Sequence, residues 1–441
     1  MPKVYMSGHY TNRKHHRQYA CSHRNNRLLI SYFDQPPVAA RDPMTDVTIE
    51  PRLTIRSNRR TVTGGNAARG NAGDGSGGAL SPRAIALLVQ IQQHGSLAAA
   101  CGADAMSYRH AWQLLREAGA VFGEPVVVMA RGKGSRLTPL GERIAWAERR
   151  IRARLTPLLD TLASEVATEI DKVLSAPTPE LRIHASHGFA VQTLHDFLAA
   201  DEVGHELRYC ATSEALAALR SGACNVAGFH VPAGRFEPTV LEHYRQWIDP
   251  RRQCAITVAT RRQGLVVAPG NPKRIYEIED LARAGIRFIN RQPGSGTRLL
   301  LDLELADRGI DAAAVAGYEN FEYTHAAVAA FVASGMADVG LAVEVPARRF
   351  GLEFLPLTTE RYYFLCDARA VAEPPVAAMI ATLASDAYRA AVDRLPGYRA
   401  DDAGRVVDAA VAFPVLATPA TSAAAAVNRV PARRSRMRSA S

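Results

Sequence analysis

The sequence predicts an α/β chain in which a helix-turn-helix unit with a β-hairpin wing leads, through one long helix, into an α/β domain with a largely parallel sheet. Three observations predict it. From Ser81 apolar residues recur at helical spacing around a glycine turn and end in a glycine-rich hairpin. An apolar seam at intervals of three and four then runs from Ile144 to Val173. From Pro177 to Tyr398 short β-rich runs alternate with helical stretches. The expected units are a disordered basic extension (1–78, with a start at Met44 as an alternative), a winged module (79–141), a linker helix (142–176), the α/β domain (177–400) and a low-complexity basic tail (401–441).

Charge is distributed to match. The net charge is +10 over 441 residues. Residues 1–60 carry eleven Lys/Arg against four Asp/Glu, and 428–441 carry five Arg and no acid. Of the remainder only 81–155 is basic, with eleven Lys/Arg against five Asp/Glu. Six cysteines (Cys21, Cys101, Cys210, Cys224, Cys254, Cys366) show neither a CxxC pair nor metal-ligand spacing. The N-terminus has no apolar stretch of secretory type, and no run of about 20 apolar residues occurs, so a cytoplasmic protein without a membrane segment is expected.

Pro82–His94 carries Ile85, Leu87, Leu88 and Ile91 on one face, and Gly95 stops it. Ser96 is placed to cap a short second helix whose alanines permit close packing. After the turn at Gly102, a third helix from Asp104 or Ser107 buries Trp112, Leu114 and Leu115. It exposes Ser107, Tyr108, Arg109, His110 and Gln113. A short helix, a turn and a polar, basic helix is the arrangement that lays a reading helix in the major groove. Arg and Gln can pair with base edges, and serine can hold a phosphate. The hairpin from Pro125 to Gly141 has Arg131, Lys133 and Arg136 around its tip, a cationic wing suited to the phosphate backbone. A three-helix packing module with a solvated basic loop is the alternative.

The segment GSLAAACGADAMSYRHAWQLL, followed by GKGSRLTPLG, resembles the N-terminal domain of the ModE-type molybdate-responsive regulators, relatives of the LysR-type winged helix-turn-helix. The seam after the wing suits a partner helix, and the resemblance implies a homodimer reading two half-sites on double-stranded DNA. Packing of this helix on its own C-terminal domain is the other reading. Pro157 is expected to kink or split it.

In the α/β domain, Leu181–Gly188 reads as a strand running into small polar residues, among them Ser186 and His187. A strand at Ala227–Val231 contains His230. The run Asn290–Arg298 is a strand end, a glycine loop and a helix start bearing Ser295, Gly296, Thr297 and Arg298. Tyr323-Thr324-His325 repeats the device. Helix N-termini offer unpaired N–H groups and a positive dipole end, and open α/β sheets bind ligands beyond their strand ends, so these loops are expected to converge on a small anion. Arg298 is either a phosphate-type clamp or a solvated helix residue; the histidines are either donors to an oxyanion or structural.

The segments ASHG, VAGFHV, GIRFINRQPGSGTRLLLD and THAAVAAFVASGMADVGLAV resemble the periplasmic-binding-protein-like domain found fused to ModE-type regulators and in molybdenum-cofactor proteins. Membership implies two lobes joined by crossing strands, with Gln263–Val267 and Phe354–Leu357 as hinge, and a ligand such as molybdate, a related oxyanion or a molybdenum-cofactor species. Where the family pattern has Ser-His-Asp, this chain has Ser186-His187-Gly188. The expected function is an effector-controlled DNA-binding transcriptional regulator, not an enzyme, with no resident cofactor or metal. The alternative is an enzyme or carrier acting on molybdenum cofactor or a related phosphorylated metabolite, though no nucleophile elbow, paired carboxylates or metal cluster stands behind it.

Overall fold

Caps written into the sequence set the ends of the first helices. The structure, a computed structural model, describes residues 47–56, 79–130, 134–174 and 181–417. Strand β1 (Ile55–Arg56) pairs antiparallel with β2 (Ala79–Leu80). Leu53 and Ile55 pack onto the core of the helical module, so part of the expected disordered extension is ordered at 47–56. The reason is two apolar side chains with a core to join; the rest of 1–78 lies outside the described residues. Helix α1 (Pro82–His94) begins under Ser81, whose Oγ accepts the Ala84 N–H, and ends at Gly95 with φ 77°. Helices α2 (Leu97–Ala103) and α3 (Tyr108–Phe122) are capped by Ser96 and Ser107.

The wing strands β3 (Val127–Ala130) and β4 (Gly134–Leu137) pair antiparallel. Buried Ser135 accepts the Leu97 N–H at 2.8 Å and ties the wing to α2. At Gly141 a Cβ would stand 2.1 Å from the Val126 carbonyl oxygen, so only glycine lets the next helix leave this close to the hairpin. That helix, α4 (Pro139–Leu174), has 36 residues and a length of about 54 Å. It starts within the wing's exit rather than at residue 142. One helix runs through Pro157 without splitting. Pro157 has no N–H for the Ala153 carbonyl; Thr324 Oγ1 donates to that carbonyl instead, at 2.9 Å.

The α/β domain follows as β5 (Leu181–Ala185), α5 (Phe189–Ala200), β6 (His205–Tyr209), α6 (Thr212–Ser221), β7 (Val226–Pro232) and α7 (Glu237–Tyr244). The 15-residue β8 (Gln253–Val267) then crosses to a second lobe. That lobe comprises β9 (Phe288–Arg291), α8 (Gly296–Asp307), β10 (Phe321–Glu322), α9 (His325–Ala333), β11 (Val339–Val343) and α10 (Glu344–Arg349). Strand β12 (Glu353–Asp367) returns, and α11 (Pro374–Ala384), α12 (Asp386–Asp393), β13 (Tyr398–Arg399), β14 (Val406–Asp408), α13 (Ala409–Ala412) and α14 (Pro414–Ala417) complete the first lobe.

The main path of the sheet is β10-β9-β11-β8-β12-β7-β5-β6, with β13 and β14 on β8. Each lobe is parallel inside, β5 with β6 and β7 in the first, β9 with β10 and β11 in the second. The crossing strands β8 and β12 are antiparallel to each other and to β11 and β7. The sheet is therefore mixed, not largely parallel, because two long strands must run between the lobes in opposite directions. The expected hinge segments are paired within the second lobe. The change of lobe sits just before them on β8 and just after them on β12, where the register shifts between Pro356 and Thr358.

The expected low-complexity tail is also folded in part. Ala409, Phe413 and Leu416 are buried in the core of the first lobe, so the domain continues to residue 417. Phe413 and Leu416 lie in an alanine-rich stretch whose composition hides them. Residues 418–441 lie outside the described residues.

Candidate ligand cleft and DNA-facing surface

Helix α3 turns Ala111, Leu114, Leu115 and Ala118 inward. The same period leaves Ser107, Tyr108, Arg109, His110 and Gln113 exposed along its outer face. The Ser107 Oγ accepts the His110 N–H at 3.3 Å, and the Gln113 amide donates to Glu117 at 3.0 Å. Ser96 is half-buried and caps α2 by accepting from Ala99. Arg136 is exposed on β4 of the wing. Arg131 and Lys133, expected at the tip, lie outside the described residues. The structure thus brings five expected residues onto one exposed helix face, with a further exposed cation on the adjoining hairpin.

The second group of expected residues meets between the lobes. Gly188 and Ala211 precede α5 and α6 in the first lobe; Ser295 and Thr324 cap α8 and α9 in the second. A Cβ built on Gly294 would come within 3.3 Å of Ser213 Oγ, and one on Gly296 within 3.9 Å of the His230 Cβ, so α8 opens directly onto the first lobe. Ser186 Oγ lies 3.3 Å from His230 Nδ1, and the His230 ring stacks on Tyr362 at 4.2 Å. His187 meets the Tyr209 ring edge at 5.0 Å. Thr297 Oγ1 donates to Gln263 Oε1 at 3.2 Å, joining α8 to the crossing strand β8.

Charge in this cleft is positive and deeply held. Arg261 donates through Nε to Glu360 Oε2 at 2.9 Å; both residues are buried. Arg291 is only 3% exposed, yet among the described residues it has no carboxylate partner. Its Nε donates to Gln292 at 3.2 Å and its Nη2 to the Tyr323 carbonyl at 2.9 Å, while Nη1 has no hydrogen-bond partner. Burial, with Arg261 beside it, pulls the Arg291 pKa down to about 9. Burial and the same two guanidiniums hold His230 and His325 well below the ordinary histidine range, and burial with Arg291, Arg349 and Arg261 brings His187 to about 4, so all three rings are neutral near pH 7. His325 Nδ1 and Gln263 Nε2 are also buried and without a partner. Buried donors without partners, beside a cation without a carboxylate contact, are chemistry suited to an anion.

The free space beside His230 and Arg261 is small. A cavity of about 10 Å³, lined by Gly188, Ala190, His230, Arg261, Tyr362 and Tyr398 among others, has room for about one water molecule.

Two expected site residues are occupied elsewhere. Arg298 is packed against Tyr318, its guanidinium 3.7 Å from the ring centre, and pairs with Asp302 at 3.3 Å. It braces its own helix, neither clamping in the cleft nor sitting solvated, because Asp302 and Tyr318 on its own lobe offer a stack and a carboxylate. Thr324 Oγ1 is spent on capping α9 and on the Ala153 carbonyl. Sequence reasoning missed Arg261, Gln263, Arg291 and Tyr362. They lie within or at the ends of buried strands, where residue type alone does not mark convergence. The polar interruptions in otherwise apolar strands at 261–263 and 291 were the available signal. Among the described residues no group of His, Cys, Asp or Glu could hold a metal ion, and no helix is long and apolar enough to cross a membrane.

Comparison with known proteins finds likenesses over parts of the chain. Residues 196–384 match the PBP superfamily domain. The chain is 32% identical over 200 residues to the uncharacterized protein YvgK of Bacillus subtilis (strain 168), covering 45% of this chain and 64% of that one. It is 30% identical over 148 residues to the molybdenum-pterin-binding protein MopB of Rhodobacter capsulatus, covering 33% of this chain and 53% of that one. The chain thus spans between half and two thirds of the length of these two relatives. Among solved structures, the full-length LTTR LysG from Corynebacterium glutamicum with bound effector Arg superposes with a TM-score of 0.33 at 15% identity, over 68% of this chain and 96% of that one.

Proposed function

We propose that this protein is a DNA-binding transcriptional regulator controlled by a small oxyanion held between the lobes of its C-terminal domain. The observation that carries the reading is Arg291, a buried guanidinium without a carboxylate contact, whose Nη1 has no hydrogen-bond partner; His325 Nδ1, in the field of that guanidinium, and Gln263 Nε2 are buried and unpartnered as well. An anion there restores what burial removed from the cation, and lobe closure removes the anion from water. The binding residues are Arg291, His325 and Gln263, with His187, His230, Ser186 and the α8 amides of Gly296 and Thr297 around them. Molybdate, or a larger molybdenum-cofactor species, is the first candidate, supported by the resemblance of the sequence and by the Rhodobacter relative, a molybdenum-pterin-binding protein.

On the DNA side, Tyr108, Arg109, His110 and Gln113 read the major groove, and Arg136 grips the backbone with the rest of the wing. Two copies pair along α4, where Leu158, Leu162, Val166, Ile170 and Val173 form an exposed apolar stripe at helical spacing. Thermal unfolding of the full chain with molybdate, tungstate, sulfate and phosphate tests the cleft. One of these anions is expected to raise Tm by several degrees at 100 times its Kd, since a ligand at that concentration adds about 2.7 kcal/mol. In the Ser295→Ala, Thr297→Ala double variant that rise disappears while binding of DNA by the unliganded chain persists. An undiminished rise in the double variant removes the α8 loop from the site.

A further inference from the structure

The cleft loop and the linker helix share a carboxylate. Glu322, at the end of β10, is 1% exposed. In the parallel register of β10 on β9 it stands directly opposite Arg291, so both side chains leave the sheet on the same face. Two neighbouring side chains of opposite charge, one buried and unmatched, are an obvious pair. Glu322 nonetheless goes to Arg154 of α4. Arg154 Nε donates to its two carboxylate oxygens at 2.9 and 2.7 Å, and Nη2 donates to Oε1 as well. Two residues away, Thr324 Oγ1 holds the Ala153 carbonyl that Pro157 leaves without a helical donor. Between them lies Tyr323, whose carbonyl accepts from Arg291 Nη2. Residues 322–324 thus hold the linker helix by two contacts and the cleft arginine by one.

Helix α4 is also fastened to the other lobe. Thr161 and Ser164 accept the N–H groups of Tyr209 and Leu207 on the edge strand β6, at 3.1 and 2.9 Å. The attachment to the second lobe, at Arg149–Arg154, and the attachment to the first, at Thr161–Ser164, lie on either side of Pro157. One helix therefore spans both lobes, weakest in its hydrogen-bond ladder between the two attachments.

From this arrangement we infer that Arg154 is a positioning residue for the effector cleft: Arg154 and Arg291 compete for Glu322, and a bound anion settles the competition by taking Arg291. With the anion in place Glu322 is left to Arg154, and α4 docks on the loop. Without it Glu322 swings to Arg291, the guanidinium opposite, and Arg154 is released with the helix that carries the winged module. The inference rests on the cleft reading above and adds to it the route by which occupancy reaches the DNA-binding end. Linkage makes the effect reciprocal: docking of α4 must favour anion binding by the same factor by which the anion favours docking.

Two measurements on the full-length chain test it. Calorimetric titration with molybdate, sulfate and phosphate compares the parent with Arg154→Ala, Glu322→Gln and the double variant. Arg154→Ala is expected to weaken the anion that binds the parent by about tenfold, because Glu322 then neutralises Arg291. The double variant should recover parent affinity, and Arg154→Lys should lose less than Arg154→Ala. A purely structural Arg154 predicts no recovery in the double variant, and that result overturns the inference. The second measurement needs no ligand. Hydrogen exchange of α4 amides around 150–157 should slow in anion-free Arg291→Met relative to the anion-free parent, because the competitor for Glu322 is gone. Equal exchange in the two chains overturns the inference. If the parent binds none of the three anions, the cleft reading fails by itself, and the exchange comparison still decides whether Arg154 and Arg291 compete.

Discussion

Helix α3 and the interlobe cleft draw on the same residue types and use them in opposite ways. Both present arginine, histidine and serine. On α3 these side chains stand in water on one face of an amphipathic helix, and exposure is what a surface for DNA needs: phosphates stay partly hydrated, and affinity comes from released counterions and from base edges. In the cleft the same groups are stripped of water, and each must find its match within the fold or in a guest. Arg261 finds Glu360. Arg291 contacts no acid, and burial, with Arg261 beside it, pulls its pKa down. The difference teaches where to look for a small ligand: at the charge that the protein buries and does not itself balance.

The contrast between the two buried arginines is the sharpest way to break this comparison. Replacing Arg261 by Met strands the Glu360 carboxylate in the interior, and breaking such a pair costs about 3–5 kcal/mol. Replacing Arg291 by Met strands no acid that Arg154 does not already hold, so stability in urea should equal or exceed that of the parent, while the anion-induced rise in Tm vanishes. Equal destabilisation of the two variants would mean that Arg291 holds an acid that no other residue takes over, and the cleft would lose its unmatched charge.

The comparison also explains what could be read from the sequence. The first helix of the winged module and the start of the second were legible, because their signals are local: Gly95 stops α1, Ser96 caps α2, and a 3.6-residue period separates buried from exposed, although Trp112, expected inside, is only half-buried. The cleft was legible at its helix N-termini, Ser295 and Thr324, for the same reason. Arg261, Gln263 and Arg291 were not, because their meeting depends on two 15-residue strands that carry the chain between lobes. Arg298 misled for the converse reason. A basic residue in the first turn of an anion-facing helix suggests a clamp, yet its direction is set by Tyr318 and Asp302, which no local pattern places beside it.

On the exposed side, Arg109 and Arg136 divide the work that the comparison assigns to surface cations. Arg109→Ala should cost about 1–3 kcal/mol on a preferred operator and relax the preference at one position. Arg136→Ala, on the wing, should weaken all sequences alike and lower the salt slope by about one. Gel-shift titrations over a salt series on specific and scrambled duplexes measure both. A uniform loss for Arg109→Ala would demote α3 from reading helix to backbone contact.

The smallest effect sharpens the comparison at the interface between its two halves. Asp160 lies on α4, six residues beyond Arg154, and its pKa is raised to about 6, first by burial and then by the nearby carboxylate of Asp196 on α5. A carboxyl whose folded value lies above its ordinary 3.8 binds its proton more tightly when folded. Its contribution to stability is therefore fully present below about pH 4 and is lost as pH rises through 6. At pH 7 the ionised Asp160 works against the packing of α4 on the first lobe. Asp160→Asn should raise Tm by a few degrees at pH 7, the shift being discounted because part of the carboxyl remains in water. The gain should shrink to nothing near pH 4, where the parent is protonated. Comparing variant and parent at each pH cancels the acid destabilisation that protonation of His187, His205 and their neighbours brings to both chains. A gain independent of pH would trace the effect to packing of the amide, and one absent at pH 7 would mean that Asp160 stands in water, away from the first lobe. The second outcome would also loosen the linker's hold on the first lobe, on which its span across both lobes depends.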